Sequence, residues 1–345
     1  MSIDERAGKC RARLVTIYRR KTPPELEEYL LLLERVNRTL DNEDRNIRPH
    51  DSQGRPGGIV YLDKTIPSII VPDIHARMDF FLNVLLYKEA GLSNLERLAA
   101  DEIQIVCVGD GFHAEGRARE RWSLAFNEYR EGYRSHRYMD DEMRESLGVM
   151  QMVKEMKCTF SNNFHFLKGN HENIANEEGE GNHPFRKFSH EGIMVAEYIR
   201  RFYGEEFLKS YSAFEKRLPL LVIGRNFLVS HAEPLEFYDR ESIIEYRKNP
   251  QVVEGLTWTA NDDADTDSVN EMLEYYLDKE IEGPHFYFGG HRPVRGLYNR
   301  RADGRYIQIH NPDKFIMANI PEEGAIDIEE HIIEIENRIE ELIAY

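Results

Sequence analysis

Five short apolar runs in this chain each stop at a Gly, Pro or Ser and then present a side chain able to ligate a metal. "IPSIIVP" leads into Asp73 and His75, "IQIVCVG" into Asp110, "FHFLKG" into Asn170 and His171, "RNFLVS" into His231, and "HFYFGG" into His291. Runs of this kind bounded by turn residues read as buried strands. Ligands of open α/β sheets gather at the carboxyl ends of strands. One such ending says little, because a lone His there is more often a hydrogen-bonded turn residue. Five endings of Asp, His, Asp, Asn and His character make independent coincidence hard to sustain.

The remainder of the chain limits the classes open to it. Its 345 residues are enough for about two domains and a large core. It is 41% hydrophobic and 31% charged, as a soluble globular protein is. No apolar run approaches the ~18 residues of a membrane span, and "MSIDERAGKCRARLVTIYRRK" has no apolar core of a secretory signal. Cys10, Cys107 and Cys158 are scattered thiols without a CxxC pair, which suits a reducing compartment, so a cytoplasmic location is expected. The formal charge of −17 repels polyanions, so neither duplex nucleic acid nor a membrane is expected as a partner.

Strands and helices mix without strict alternation. Residues 25–40 read as a helix after Pro23-Pro24, and 218–234 as a hairpin turning at Gly224-Arg225-Asn226. Residues 1–57 are expected to form a basic, helical N-terminal arm, 58–320 the catalytic domain, and 321–345 an acidic amphipathic helix. In the last segment Ile328, Ile332, Ile335, Ile339 and Leu342 recur at spacings of four and three. That stripe packs on its own body or forms a self-association seam. A helical insertion at about 113–158 carries Trp122, Phe126, Tyr129, Arg130, Tyr133 and Arg134 at helical spacing. These residues either pack with a solvated face or cap the site and select substrate.

The donor types narrow the chemistry. Mixed oxygen and nitrogen ligands without thiolate fit Mn, Fe, Zn or Co better than Ca or Mg. If Asp110 bridged two dications, with Asp73 and His75 on one side and Asn170, His231 and His291 on the other, two carboxylates would leave two positive charges over. That excess suits a hydroxide and a phosphate, and two metals roughly 3.5–4 Å apart can activate water and clamp a phosphoryl group.

Asp73-x-His75, Gly109-Asp110, Gly169-Asn170-His171-Glu172, Ser230-His231-Ala232 and Gly290-His291 resemble, in order, the motifs of calcineurin-like metallophosphoesterases. Within that superfamily the chain is most similar to the branch of phosphoprotein phosphatases and diadenosine tetraphosphate hydrolases. The stretches 200–234, "GLTWTANDDAD" (255–265) and "GGHRPV" carry that closer likeness, which spans roughly 66–320. The resemblance implies an α+β fold, a four-layer α/β/β/α sandwich of two mixed β-sheets packed face to face with flanking helices. It implies two divalent transition-metal ions (Mn, Fe or Zn) held by Asp73, His75, Asp110, Asn170, His231 and His291. His171 would be the general acid, or else a hydrogen-bonding neighbour of the ligands, and Glu172 would orient the loop.

The chain departs from the pattern at one loop. In "GDGFHAEGRARERW" His113 stands where the family has an Asp that supports the acid, and Ala114 where it has a phosphate-binding Arg. Glu115 and Arg117 can take those places only if the loop is longer. Arg117 and Arg292 are the leading substrate-binding candidates, with Arg119 and Arg295 behind them. Pro293 occupies the position of a possible second His after His291. The expected function is a metal-dependent phosphoester hydrolase, in first place a phosphomonoesterase in which a hydroxide bridging two metals attacks. The alternatives are a dinucleoside polyphosphate (phosphoanhydride) hydrolase and a non-catalytic metal-bearing scaffold that binds phosphorylated partners. Expected substrates are phosphoproteins, nucleotides or small phosphoesters.

Overall fold

Strand residues alternate between two faces, and here each face meets a different core. In the computed structural model, which describes residues 3–89 and 91–344, the strands in chain order are β1 (Ile59–Tyr61), β2 (Ser68–Val71), β3 (Lys88–Glu89), β4 (Leu92–Ser93), β5 (Gln104–Cys107), β6 (Phe164–Phe166), β7 (Leu221–Ile223), β8 (Phe227–Val229), β9 (Phe286–Gly289), β10 (Asn299–Arg301), β11 (Tyr306–Gln308), β12 (Ile316–Ile320) and β13 (Ile332–Glu334). One sheet has the order β1-β7-β8-β9-β11-β10, the other β13-β12-β2-β5-β6, and β3-β4 form a separate ribbon.

The two large sheets pack face to face. Ile70, Val106, Val108, Leu167, Val222, Val229, Phe288 and Ile307 fill the space between them. Their strand neighbours point the other way. Ile69, Ile105, Cys107 and Phe164 face a thick layer of helices that includes Leu26–Asp41, Arg137–Thr159 and Gly204–Glu215. Leu221, Leu228, Tyr287 and Tyr306 face a thinner layer built from Arg240–Ile244, Pro250–Thr257 and Ser268–Tyr276. Both sheets are mixed: β2, β5 and β6 run parallel, as do β8, β9 and β11, while β12 and β10 run against them. The α+β four-layer sandwich expected from the motifs is thus the observed architecture. The hairpin turning at 224–226 is β7-β8.

The flanking segments differ from expectation. The described part of 1–57 is no separate arm. Its helices Ile3–Arg19 and Leu26–Asp41 sink Leu14, Ile17, Tyr29 and Leu33 into the main helical core. Nor is the long helix Arg137–Thr159 a cap, because its residues 146–157 are buried in that same layer. The tail 321–345 is not one amphipathic helix. It forms helix Ile328–His331, then β13, then helix Ile339–Ile343. The β-branched pair Ile332-Ile333 closes the otherwise open edge of β12, with Ile332 opposite Ala318. Its apolar stripe is shared out, Ile328 and Ile332 between the sheets and Ile335 and Ile339 on the helical side; the side chain of Leu342 lies outside the described residues, as do residues 1–2 and 345. The three cysteines are free thiols. Among the described residues no helix is long and apolar enough to cross a membrane.

A buried ion cluster ties the N-terminal helices to the sheets. The Glu43 carboxylate lies 2.6 Å from Lys157 Nζ and 2.5 Å from Arg48 NH1. Arg48 Nε donates to the Gly57 carbonyl at 2.6 Å, and Lys157 donates to the carbonyl of Phe164 in β6 at 3.1 Å. Burial penalises the Glu43 charge, yet Lys157 and Arg48 outweigh it and hold the carboxyl down at about 2, from an ordinary 4.5. A depressed carboxyl stabilises the fold above its unfolded pKa, and that contribution fades as pH falls from 4.5 towards about 2. Removing one member of a buried pair leaves the others uncompensated and costs on the order of 3–5 kcal/mol. Glu43→Gln should therefore lower the unfolding free energy at neutral pH by about that amount, and flatten the acid limb of stability against pH, as urea titrations at several pH values would show.

Candidate metal centre

Three parallel strands of each sheet deliver their carboxyl ends to one place. β2, β5 and β6 lead into Asp73, Asp110 and Asn170; β8, β9 and β11 lead into His231, His291 and His310. Tight turns aim these side chains inward. His75, Asp110 and His291 have φ of 43°, 47° and 63°, a left-handed region that costs a non-glycine residue of order 1–3 kcal/mol. Strain of this size, repeated at three neighbouring positions, marks a site rather than a set of ordinary loops. The backbones also come close: a Cβ on Gly169 would collide with the Asp110 carboxylate, and one on Gly290 with that of Asp73.

The donors face one another. His75 Nε2 and His231 Nε2 lie 3.5 and 3.4 Å from Asp110 Oδ2. The Asn170 amide oxygen is 3.0 Å from both His231 Nε2 and His291 Nδ1. Two of the imidazoles have their tautomer set by a carbonyl, which can only accept. His75 Nδ1 donates to the His113 carbonyl at 3.0 Å and His231 Nδ1 to that of Val108 at 3.1 Å. Each therefore turns an Nε2 lone pair towards Asp110, the arrangement that metal-ligating histidines show. Three groups have ligand atoms within 4.8 Å of one another: Asp73, His75 and His310; Asp110, His231 and His291; and His75, His113 and His171.

The electrostatics fit a cation. Burial pushes the carboxyls of Asp73 and Asp110 upward, and their mutual repulsion lifts Asp73 further. Burial likewise holds His75, His231 and His291 below the usual imidazole range. The ion-pair partners of the two carboxylates are imidazoles alone among the described residues. Buried atoms left without a hydrogen-bond partner include Asp73 Oδ1, His291 Nε2 and His310 Nδ1. Buried polar atoms are nearly always paired, so unpaired donors of ligand type around two carboxylates suit a bound metal ion.

Glu172 braces the centre from behind. Its carboxylate accepts from the backbone N–H groups of Asp110 (2.9 Å), Gly111 (3.0 Å) and Gly169 (2.7 Å). It thus clips the loop after β5 to the loop after β6. His171 donates its own backbone N–H to Asp110 Oδ1 at 2.9 Å. Its ring lies against Phe185 and His113, with centroids 4.9 and 4.8 Å away. Burial and the neighbouring imidazoles hold its pKa well below the usual imidazole range.

The loop after Asp110 is held by helix Arg137–Thr159, through Ser146 and Glu142 on the backbone of His113 and Ala114. His113 sits beside His171, and Trp122 covers its other side. Glu115 turns away from His171 to meet His310 Nε2 at 2.9 Å and the ammonium of Lys187. Arg117 is spoken for by the Ala76 carbonyl and Glu145. Arg292 is exposed beside His291. His310 is a residue that the motif reading passed over. His310 was open to discovery, since "RYIQIH" is a sixth apolar run ending in a ligand; it lacks the Gly, Pro or Ser that flagged the other five.

No protein-family model matches the sequence, and no curated protein does. Among solved structures the chain is similar to a protein serine/threonine phosphatase from Saccharomyces cerevisiae, described as having similarity to human phosphatase PP5. The TM-score is 0.55 at 13% identity, over 90% of this chain and 89% of that one. The likeness establishes a shared fold, the one that the motifs led us to expect. A cold-active protein-tyrosine phosphatase of a psychrophilic Shewanella species superposes over 76% of each chain at 13% identity with a TM-score of 0.43, too low to add to that conclusion.

Glu172→Gln would replace one acceptor oxygen by an NH2 group facing backbone donors. An unsatisfied buried polar group costs about 1–3 kcal/mol. Chemical denaturation should show a loss in that range, and a variant as stable as the parent would remove Glu172 as the brace.

Proposed function

We propose that this protein is a metal-dependent phosphoester hydrolase, acting in first place on phosphomonoesters. The observation that carries this reading is the convergence of Asp73, His75, Asp110, Asn170, His231 and His291 at the ends of parallel strands from two packed sheets. Their ligand atoms face one another, and among the described residues the ion-pair partners of the two buried carboxylates are imidazoles. These six residues would hold two divalent ions, with Asp110 between them. When bound, such ions lower the pKa of water to near neutrality and polarise a phosphoryl oxygen.

The chain's own groups supply the rest. Asn170 gives a neutral oxygen, so the ligand set carries two negative charges and leaves the centre cationic enough to attract a phosphate. The exposed Arg292, beside His291, is placed to meet an outer phosphoryl oxygen. Its guanidinium has no ion pair or hydrogen bond among the described residues, whereas that of Arg117 is engaged. Phe185 and His113 hold the His171 ring in place. Arrival of an anionic substrate favours protonation of this otherwise neutral imidazole, which then donates a proton to the departing alkoxide. Expulsion of an unprotonated alkoxide near neutral pH is slow, and a placed acid contributes about 10²–10⁴-fold.

The test is elemental analysis of purified protein together with Mn²⁺-supplemented hydrolysis of p-nitrophenyl phosphate and its bis ester. Metal near two per chain with monoesterase activity supports the reading. Bis-ester turnover moves it to a phosphodiesterase. Two metals without turnover of either ester point to an anhydride substrate or a phospho-binding scaffold. Absence of metal after supplementation overturns it. His171→Asn should cost about 10²–10⁴-fold in kcat and leave the metal content unchanged; full activity in that variant removes the acid assignment.

A further inference from the structure

Resting on that reading, we infer that His310 is a further ligand of the first metal, through Nδ1, with Glu115 as the carboxylate that orients it. The motif resemblance gives this subsite only Asp73, His75 and the shared Asp110. A second His after His291 is absent, because Pro293 stands there. The structure brings a replacement from another strand. His310 follows β11 by the same two residues by which His231 follows β8 and His291 follows β9.

Its ring is fully buried and its two nitrogens have different surroundings. Nε2 lies 2.9 Å from Glu115 Oε2. A carboxylate only accepts, so Nε2 carries the proton and Nδ1 keeps its lone pair. Nδ1 lies 3.3 Å from Asp73 Oδ2, without hydrogen-bond geometry and with no other partner. It shares a space with the carboxylate oxygen of Asp73 and the free nitrogen of His75, all within 4.8 Å of one another. His165 Nδ1 is unpaired in the core too, so what marks His310 is that its free nitrogen faces Asp73 and His75. Carboxylate, imidazole and metal in a row form a recurrent unit in which the carboxylate sets the tautomer and raises ligand basicity.

Glu115 is itself built in. The burial penalty on its charge is outweighed by His75, His310 and Lys187, which hold the carboxyl well below its usual range. Its Oε1 accepts from Lys187 and stands 3.6 Å from His75 Nε2. Lys187 matches the negative charge of Glu115. The added donor is neutral, so the centre keeps the same cationic excess with a fuller first subsite.

The experiment is calorimetric titration of the metal-stripped full chain with Mn²⁺, checked by elemental analysis. The parent should bind about two ions. His310→Gln should weaken one of the two events at least as far as Glu115→Gln does, and Glu115→Gln should weaken the same event by about 10–100-fold. The second event should keep its affinity in both. Thermal unfolding of the stripped variants establishes that they are folded; if His310→Gln is not, Glu115→Gln decides. Two ions in the parent with both affinities unchanged in the variants overturn this inference alone. A parent that binds none overturns the metal reading on which it rests.

Discussion

Two carboxylates, Asp73 and Asp110, are buried with imidazoles as their ion-pair partners. Desolvating a charge without a paired cation is among the most costly arrangements a fold can contain. Neutralising the carboxyls by protonation is one escape. A cation shared by both carboxylates is the other, and it also gives the surrounding nitrogen lone pairs something to bind. The ring tautomers leave lone pairs for such a cation. His75 and His231 each give their Nδ1 proton to a carbonyl, so each presents a lone pair to Asp110. Asp73 Oδ1 and His310 Nδ1, each without a hydrogen-bond partner, add two more open positions for the cation.

That local demand accounts for features spread through the fold. Six strands in two sheets must end at the same place, so the sheets pack face to face with their parallel strands aligned. Each strand is three or four residues long where it meets the site, since it only has to bridge from one core to the loop that carries a ligand. The turns beyond take left-handed backbone at His75, Asp110 and His291. The unfavourable geometry is held by Glu172 across two loops, the first of which the helix Arg137–Thr159 also holds. The helical layers are the buttress of this edge, and the Glu43 cluster locks the N-terminal helices to β6, next to the loop of Asn170.

The strands, their burial on both faces and the convergence of their ends were legible because short apolar runs ended in chemistry. His310 was missed for the reason that makes it interesting: its strand runs straight into it, without punctuation. The tail was misread because isoleucines at spacings of three and four also serve a short helix, a strand and a second short helix when an open sheet edge lies within reach. Local periodicity contains no information about an edge supplied by residues 316–320. The insertion after Asp110 was left with two readings for the same reason. Alternating Arg and aromatic residues describe an amphipathic helix, and only packing decides whether its apolar face covers a substrate or the protein's own core.

The loop after Asp110 sets this centre apart from the pattern it resembles. With His113 in place of a carboxylate, the ring of His171 rests on another neutral ring instead of an acceptor that would hold its proton. The carboxylate of this loop has moved two residues on, to Glu115, and it faces His310, His75 and Lys187. Relative to that pattern, the negative charge of this loop lies beside His310 and His75. If His171 is the acid proposed above, a ring without a carboxylate behind it gives up its proton more readily.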